Sequence, residues 1–391
     1  MNSSHCTKSR LCGGMRGKME KTRTTWIDSL KGIAVCGIVM VHSNASSLPG
    51  LLGKIGNAGK NGVQLFFLLS AYLTFLSLEH FFHGKETPKA MTFRQLIPWW
   101  TGKFIRLIPL YYLALLVYAL FQGGSTYWLG TQEHITAGNV FTHLFFLHGL
   151  FPHYADSIIG VEWYLGTLAI FYLLAPCLYK LIDSLEKSAA LFLLSSFLCR
   201  ILTHFIYRLF PEGVDSHIYS AYAGTFNFFA QFPVLIAGIM LYFLFRRQIL
   251  EKIGKPKVFS YVLLVFSIIM IAGQAFGENS LFLISSETMF GLWFFLIAVS
   301  QKIFPPFWTD NKLWETLGKY SYPIYLFHFI VLSTYDKINV PTTGYLLLDW
   351  GIKYIAALLC SLAISVLLTK AFEQPAVAFL KNARAFRAFR R

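Results

Sequence analysis

Apolar stretches about twenty residues long, each closed by a short polar or basic segment, recur along the chain from residue 27 to residue 372. A helix needs about 20 such residues to cross the hydrocarbon core of a bilayer. Ten runs reach that length: 27–47, 60–80, 104–122, 161–181, 188–209, 226–245, 258–276, 281–301, 320–338 and 346–372. The run from Asn139 to Phe151 is apolar but, at about 13 residues, too short to span, and reads as a re-entrant or interfacial segment. The pattern predicts an all-α integral membrane protein of about ten transmembrane helices. It forms one membrane domain over residues 26–376, between a disordered basic tail at 1–25 and a second basic tail at 377–391.

The placement of charge gives this pattern an orientation. Lys and Arg gather in cytosolic loops. With the N-terminal tail inside and ten crossings, Lys85, Lys89, Arg94 and Lys103 face the cytosol, as do Arg246, Arg247, Lys252, Lys255 and Lys257. So does the terminal cluster Lys381, Arg384, Arg387, Arg390 and Arg391. A full crossing at 139–151 would put two of these clusters outside, so both termini are predicted cytosolic. Composition agrees: 55% of the 391 residues are hydrophobic and 14% charged, against roughly 45–50% and 25% in soluble domains. The net charge of +15 lies in clusters between apolar spans, which argues for membrane topology and against nucleic acid. Cys36, Cys177, Cys199 and Cys360 fall inside apolar spans and form no Cys-x-x-Cys pair, so neither a metal site nor a disulfide framework is expected. No internal repeat of the kind found in many transporters is visible.

Ionisable residues inside a span cost roughly 2.5–3.5 kcal/mol on the insertion scale and mark candidate function. The first span carries Asp28, Lys31 and His42. Eleven residues at about 100° each make three turns plus about 20°, so Lys31 and His42 share a face, about 16 Å apart along the axis. Lys31 is then expected near the cytosolic mouth and His42 beyond the midplane. Histidine suits general-base work because its ordinary pKa near 6.5 lets it take and release a proton near neutrality. Lys103 and Arg106, three apart at the start of the third span, suit phosphate binding, although cations at helix ends also anchor to headgroups.

These pieces together resemble the acyltransferase 3 family of membrane acyltransferases. The matching segments are Asp28, Lys31 and Gly32 followed by His42; Gly62-Val-Gln-Leu-Phe-Phe-Leu-Leu-Ser70; Lys103-x-x-Arg106 with Ile108-Pro109; and Trp163-Tyr-Leu165 with Phe171-Tyr172 and Pro176. Two more follow, from Leu317 to His328 and from Phe372 to Pro375. The resemblance implies ten spans, cytosolic acyl-coenzyme A (acetyl-CoA first) as co-substrate and His42 as base; Lys31, Lys103 and Arg106 are then expected to hold the donor, with Asp28 orienting Lys31 and offsetting its charge. It also implies a saccharide or glycolipid hydroxyl as acceptor at the far face, with Ser70, Trp163, Tyr322 and His328 as candidate substrate contacts. A bacterial inner-membrane location follows, among membrane lipid, and a homo-oligomer is compatible with it. Three departures stand out: Lys31 replaces the commoner Arg, Ala71 replaces Gly, and Leu168 stands where the family has Glu. No carboxylate role carries over to Leu168. Glu162, one residue before the motif, leaves the helix from another position.

The expected chemistry is attack of an acceptor hydroxyl on the thioester carbonyl, with His42 taking its proton. The oxyanion that forms needs donors, for which Asn44, Ser70, His148 and Tyr322 are the candidates. Two other classes share the same residues: a transporter using Asp28, Lys31 and His42 as a proton or solute path, and a scaffold without chemistry. Thioester cleavage separates all three.

Overall fold

The computed structural model describes residues 25–83, 92–127, 134–210, 216–247, 250–277 and 284–383. Residues 1–24, Lys85 and Lys89, and Arg384, Arg387, Arg390 and Arg391 of the terminal cluster lie outside the described residues. Among the described residues the chain is helical, with no strand beyond a single bridge between Ser125 and His134. The helices are α1 (Thr25–His42), α2 (Gly50–Ala58), α3 (Gly62–Phe82), α4 (Phe93–Phe121), α5 (Ala137–Leu144), α6 (Trp163–Leu181), α7 (Leu185–Leu209) and α8 (Ser216–Ala221). They continue with α9 (Phe228–Arg246), α10 (Pro256–Phe276), α11 (Ser286–Ile303), α12 (Lys312–Lys319), α13 (Ser321–Ile338), α14 (Leu346–Leu368) and α15 (Gln374–Asn382).

Local sequence sets many of these boundaries. Ser184, Asn227 and Ser285 precede α7, α9 and α11, and each side-chain oxygen accepts an N–H of the first turn, satisfying a donor that the helix leaves unpaired. The last helix runs on to Asn382, past the point where the apolar pattern ends.

Among the described residues, eight helical stretches are long and apolar enough to cross a membrane. Two more, α11 and α13, stand where spans were expected but carry Glu287 and Lys302, and His328, Asp336 and Lys337, within 18 residues each. The short run after Thr136 does not cross: α5 has eight residues, about 12 Å of helix, and gives way to turns. The second run belongs to a longer helical stretch, Gly50–Phe82, in which α2 leads into α3.

Burial separates a core from a rim. On α10, Val258, Val262, Val265 and Ile269 recur at helical spacing with each more than half exposed. Leu348, Ile352, Ile355 and Leu359 form a second exposed stripe at helical spacing on α14. Outward apolar stripes cost about 25 cal/mol per Å² in water and nothing against lipid tails. At the centre, α9 packs on α3, α7 and α11, and Val234, Leu235, Ile236, Ala237 and Ile239 are fully buried.

Close packing fixes α1 against α12. A Cβ at Gly32 would lie 2.1 Å from the Trp314 carbonyl oxygen, and one at Gly318 1.6 Å from that of Asp28. Small residues let helix backbones approach in this way. The consequence is that α12 lies across the end of α1 that holds Asp28 and Lys31.

Candidate active site

His42 is the last residue of α1 and opens onto a cavity of about 530 Å³. The cavity forms where α1 ends and α3, α6, α9 and α11 begin, beside α13, so six segments of chain deliver side chains to one place. Its wall includes Asn61 and Gln64, Trp163, Thr225 and Glu287, with Tyr325 and Phe329 from α13. The Trp163 ring stacks on Phe226 at 4.9 Å between centroids, and Phe329 packs on His42 at 4.4 Å. Rings beside amides and carboxylates give both an apolar platform and directional hydrogen bonding.

His42 Nδ1 lies 2.8 Å from Nε2 of His328, a residue 286 positions away that the fold makes its immediate neighbour. His328 is fully buried, and its Nδ1 lies 2.8 Å from the carbonyl oxygen of Tyr325.

The basic pair sits at the other end. Tyr118 on α4 donates to the Leu326 carbonyl at 3.0 Å and accepts the Ile330 N–H at 3.0 Å. Lower on the same helices, Tyr322 donates to the Leu107 carbonyl at 2.8 Å. These bonds make α4 and α13 parallel and level Tyr118 with His328. Lys103 and Arg106, both on α4 before Tyr118, therefore lie roughly 18–23 Å along the axis from His42, at 1.5 Å per residue. That is the end where Lys31 contacts Asp28 at 3.7 Å. Lys103 lies over the rings of Trp99 and Tyr172, 5.2 and 5.3 Å from their centroids, while Arg106 is exposed.

The residues singled out in the sequence thus fall into three groups. His42 and Trp163 line the cavity, and His328 backs His42. Asp28, Lys31, Lys103 and Arg106 share the opposite end. Ser70 and Tyr322 lie between, each in an internal hydrogen bond, Ser70 with the Tyr164 hydroxyl at 2.9 Å. Of the four oxyanion candidates, Asn44 lines the cavity, while His148 is held by the Glu162 carbonyl at 3.0 Å.

Leu168 lies in the apolar core, 2% exposed, and Glu162, at the start of the same helix, is a fully buried carboxylate. Its two oxygens accept the backbone N–H groups of Ile158, Ile159, Gly160 and Val161 at 2.6–3.1 Å. His143 Nε2 approaches the same carboxylate at 3.3 Å. Burial alone would raise the Glu162 carboxyl, but the His143 contact and the backbone donors outweigh it and hold it well below the ordinary carboxylate range. Asp156, buried close to Glu162, is raised instead by burial and by that neighbouring charge. The loop 158–161, wrapped on Glu162, forms one wall of the cavity, and its turn needs Gly160, whose φ is +94°. Sequence reasoning set Glu162 aside and passed over Asp156, Gln64 and Glu287. The signal was there in two acids flanking a Ser-Ile-Ile-Gly-Val segment.

Fold and site together define a helical bundle of membrane dimensions with a histidine at the floor of one cavity and a basic cluster at the opposite end. The chain belongs to the acyltransferase 3 family: residues 24–370 match its acyltransferase domain. It is 25% identical over 337 residues to a protein of Staphylococcus aureus strain COL described as "Putative O-acetyltransferase", covering 78% of this chain and 50% of that one. It is likewise 25% identical over 352 residues to the O-acetyltransferase OatA of Staphylococcus aureus strain NCTC 8325, covering 82% and 53%. The chain spans about half the length of the curated relatives it matches. No solved structure matches it.

Proposed function

We propose that this protein is an O-acyltransferase that moves an acyl group, acetyl first among the candidates, from cytosolic acyl-coenzyme A to a hydroxyl of a saccharide or glycolipid on the extracytoplasmic side. The observation that carries the reading is the position of His42, on the floor of a cavity lined by rings, amides and acids, roughly 18–23 Å from the Lys103 and Arg106 pair. Charges on Lys31, Lys103 and Arg106 suit the donor's phosphates, and Asp28 offsets and orients Lys31. The ten-span topology with both termini cytosolic puts the cavity outside and the basic cluster inside.

In this reading the acceptor hydroxyl gives its proton to His42 as its oxygen bonds to the thioester carbonyl carbon. The tetrahedral intermediate then collapses with cleavage of the carbon–sulfur bond, and the coenzyme A thiolate takes the proton back. Products are the ester and free coenzyme A. Trp163, Phe226 and Phe329 offer faces to a sugar ring, and Gln64, Asn61 and Glu287 offer partners to its hydroxyls.

The test is purified protein in lipid nanodiscs with several acyl-CoA species and a panel of oligosaccharides, following free thiol and ester formation. Equal release of thiol and ester is expected with acetyl-CoA. Solute flux without thioester cleavage would replace the enzyme by a transporter.

A further inference from the structure

We propose that His328 is a positioning residue that fixes His42 in the one tautomer able to act as a base toward the cavity. The inference rests on the reading of His42 as general base and deepens it. The argument follows the protons. The Tyr325 carbonyl has lone pairs only, so a bond at 2.8 Å requires His328 Nδ1 to carry hydrogen. The neutral ring then has a bare Nε2, which can only accept. Across the 2.8 Å contact, His42 Nδ1 must be the donor. That leaves the lone pair of His42 on Nε2.

Each alternative fails on a stated contact. Reversing the chain sets the His328 Nδ1 lone pair against the Tyr325 oxygen, with nothing between them. A doubly protonated His328 would bury a charge completely, and among the described residues no carboxylate contacts either ring. An unpaired buried charge is the costly case. Histidine tautomers are commonly set by the bond that the second nitrogen makes, and here a histidine fills the place that a carboxylate takes in many triads.

The anchor is itself held. The carbonyl that orients His328 lies one turn earlier on α13, and the hydroxyl of that same Tyr325 donates to the Val161 carbonyl at 2.5 Å. Val161 belongs to the loop wrapped on Glu162. A chain of hydrogen bonds therefore runs from the buried carboxylate through Tyr325 and His328 to His42. His328 is absent from the cavity wall, so its action on the substrate passes through His42.

The experiment compares three substitutions in the full chain in nanodiscs. His328→Gln keeps an acceptor oxygen at the place of Nε2. His328→Asn keeps a donor toward Tyr325 but falls short of His42, and His328→Leu keeps neither. With acetyl-CoA and an oligosaccharide that the wild type acetylates, kcat is expected to stay within about tenfold for Gln and to fall by roughly 10²–10⁴ for Asn and Leu. KM for acetyl-CoA should not move. A packing role predicts instead that Asn and Gln behave alike. A second readout needs no activity: ¹⁵N spectra of histidine-labelled protein, with His42 assigned by its loss in His42→Gln, report which ring nitrogen carries hydrogen. Protonated Nδ1 and bare Nε2 are expected in the wild type, with the preference lost in His328→Leu. Hydrogen on His42 Nε2 in the wild type, or a folded, donor-binding Gln variant as slow as Leu, would overturn the inference. Full activity of His42→Gln with the expected spectrum would overturn the general-base reading alone.

Discussion

Replacement of Gly318 by alanine tests how the end of the bundle that holds Asp28 and Lys31 is built. A Cβ at this position would lie 1.6 Å from the Asp28 carbonyl oxygen and 2.4 Å from its carbon. A carbon and a carbonyl oxygen meet at roughly 3.3 Å, so α12 must retreat from α1 by about 1.7 Å. Backbone lies on both sides of the contact, and no side chain can turn away. Overpacking of this kind costs about 1–3 kcal/mol or more, a large share of an ordinary stability of about 5–15 kcal/mol. The displaced strip of α1 carries Asp28 and Lys31, so KM for acetyl-CoA should rise in whatever protein folds. Gly102→Ala in α4 is the matched control, because a Cβ there meets nothing within 4 Å. Alanine in a helix should leave stability unchanged or raise it by up to about 1 kcal/mol. The assay is thermal unfolding of both variants in detergent, with acetyl-CoA binding as second readout. A Gly318→Ala protein as stable as the Gly102→Ala protein would refute the close packing of α1 on α12.

Further expectations concern the rest of the site. Glu162→Gln turns an acceptor oxygen into a donor facing backbone N–H groups; with about two of them orphaned at 1–3 kcal/mol each, melting should drop by several degrees and transfer should fall with it. Glu162→Asp, which keeps both oxygens, should recover part of the loss; equal stability of wild type and Gln would remove the carboxylate from its organising role. Replacing Lys103 and Arg106 together with Ala should raise KM for acetyl-CoA at least tenfold with little change in KM for acceptor, and the reverse pattern would put the donor elsewhere. Single cysteines at Lys255 and Gly277, at the two ends of α10, should label from opposite faces of the membrane, and labelling from one face would discard the ten-span topology.

The helices were legible because apolar runs of the right length admit few other structures in lipid. Asp28 with Lys31 and the common face of Lys31 and His42 were legible because they depend on one continuous helix. What lay beyond the sequence depends on distant chain. His42 meets His328 across 286 residues, and only the packing of α1 on α12 and α13 sets that distance. Glu162 was hard to weigh because its role depends on a loop turned by a left-handed Gly160. Among the described residues apolarity alone singles out eight stretches, because α11 carries Glu287 and Lys302 and α13 carries His328, Asp336 and Lys337.

The central claim, that His42 takes the proton of the acceptor hydroxyl, is tested most directly by His42→Gln in folded, nanodisc-embedded protein, measuring acetyl transfer and acetyl-CoA affinity side by side. Glutamine keeps much of the size and some hydrogen bonding but has no basic nitrogen at neutral pH. Loss of a positioned general base typically costs 10²–10⁴ in rate. The account predicts transfer at least about a hundredfold slower with donor affinity unchanged. Transfer at near wild-type rate with intact donor binding would contradict it and leave His42 as a packing residue.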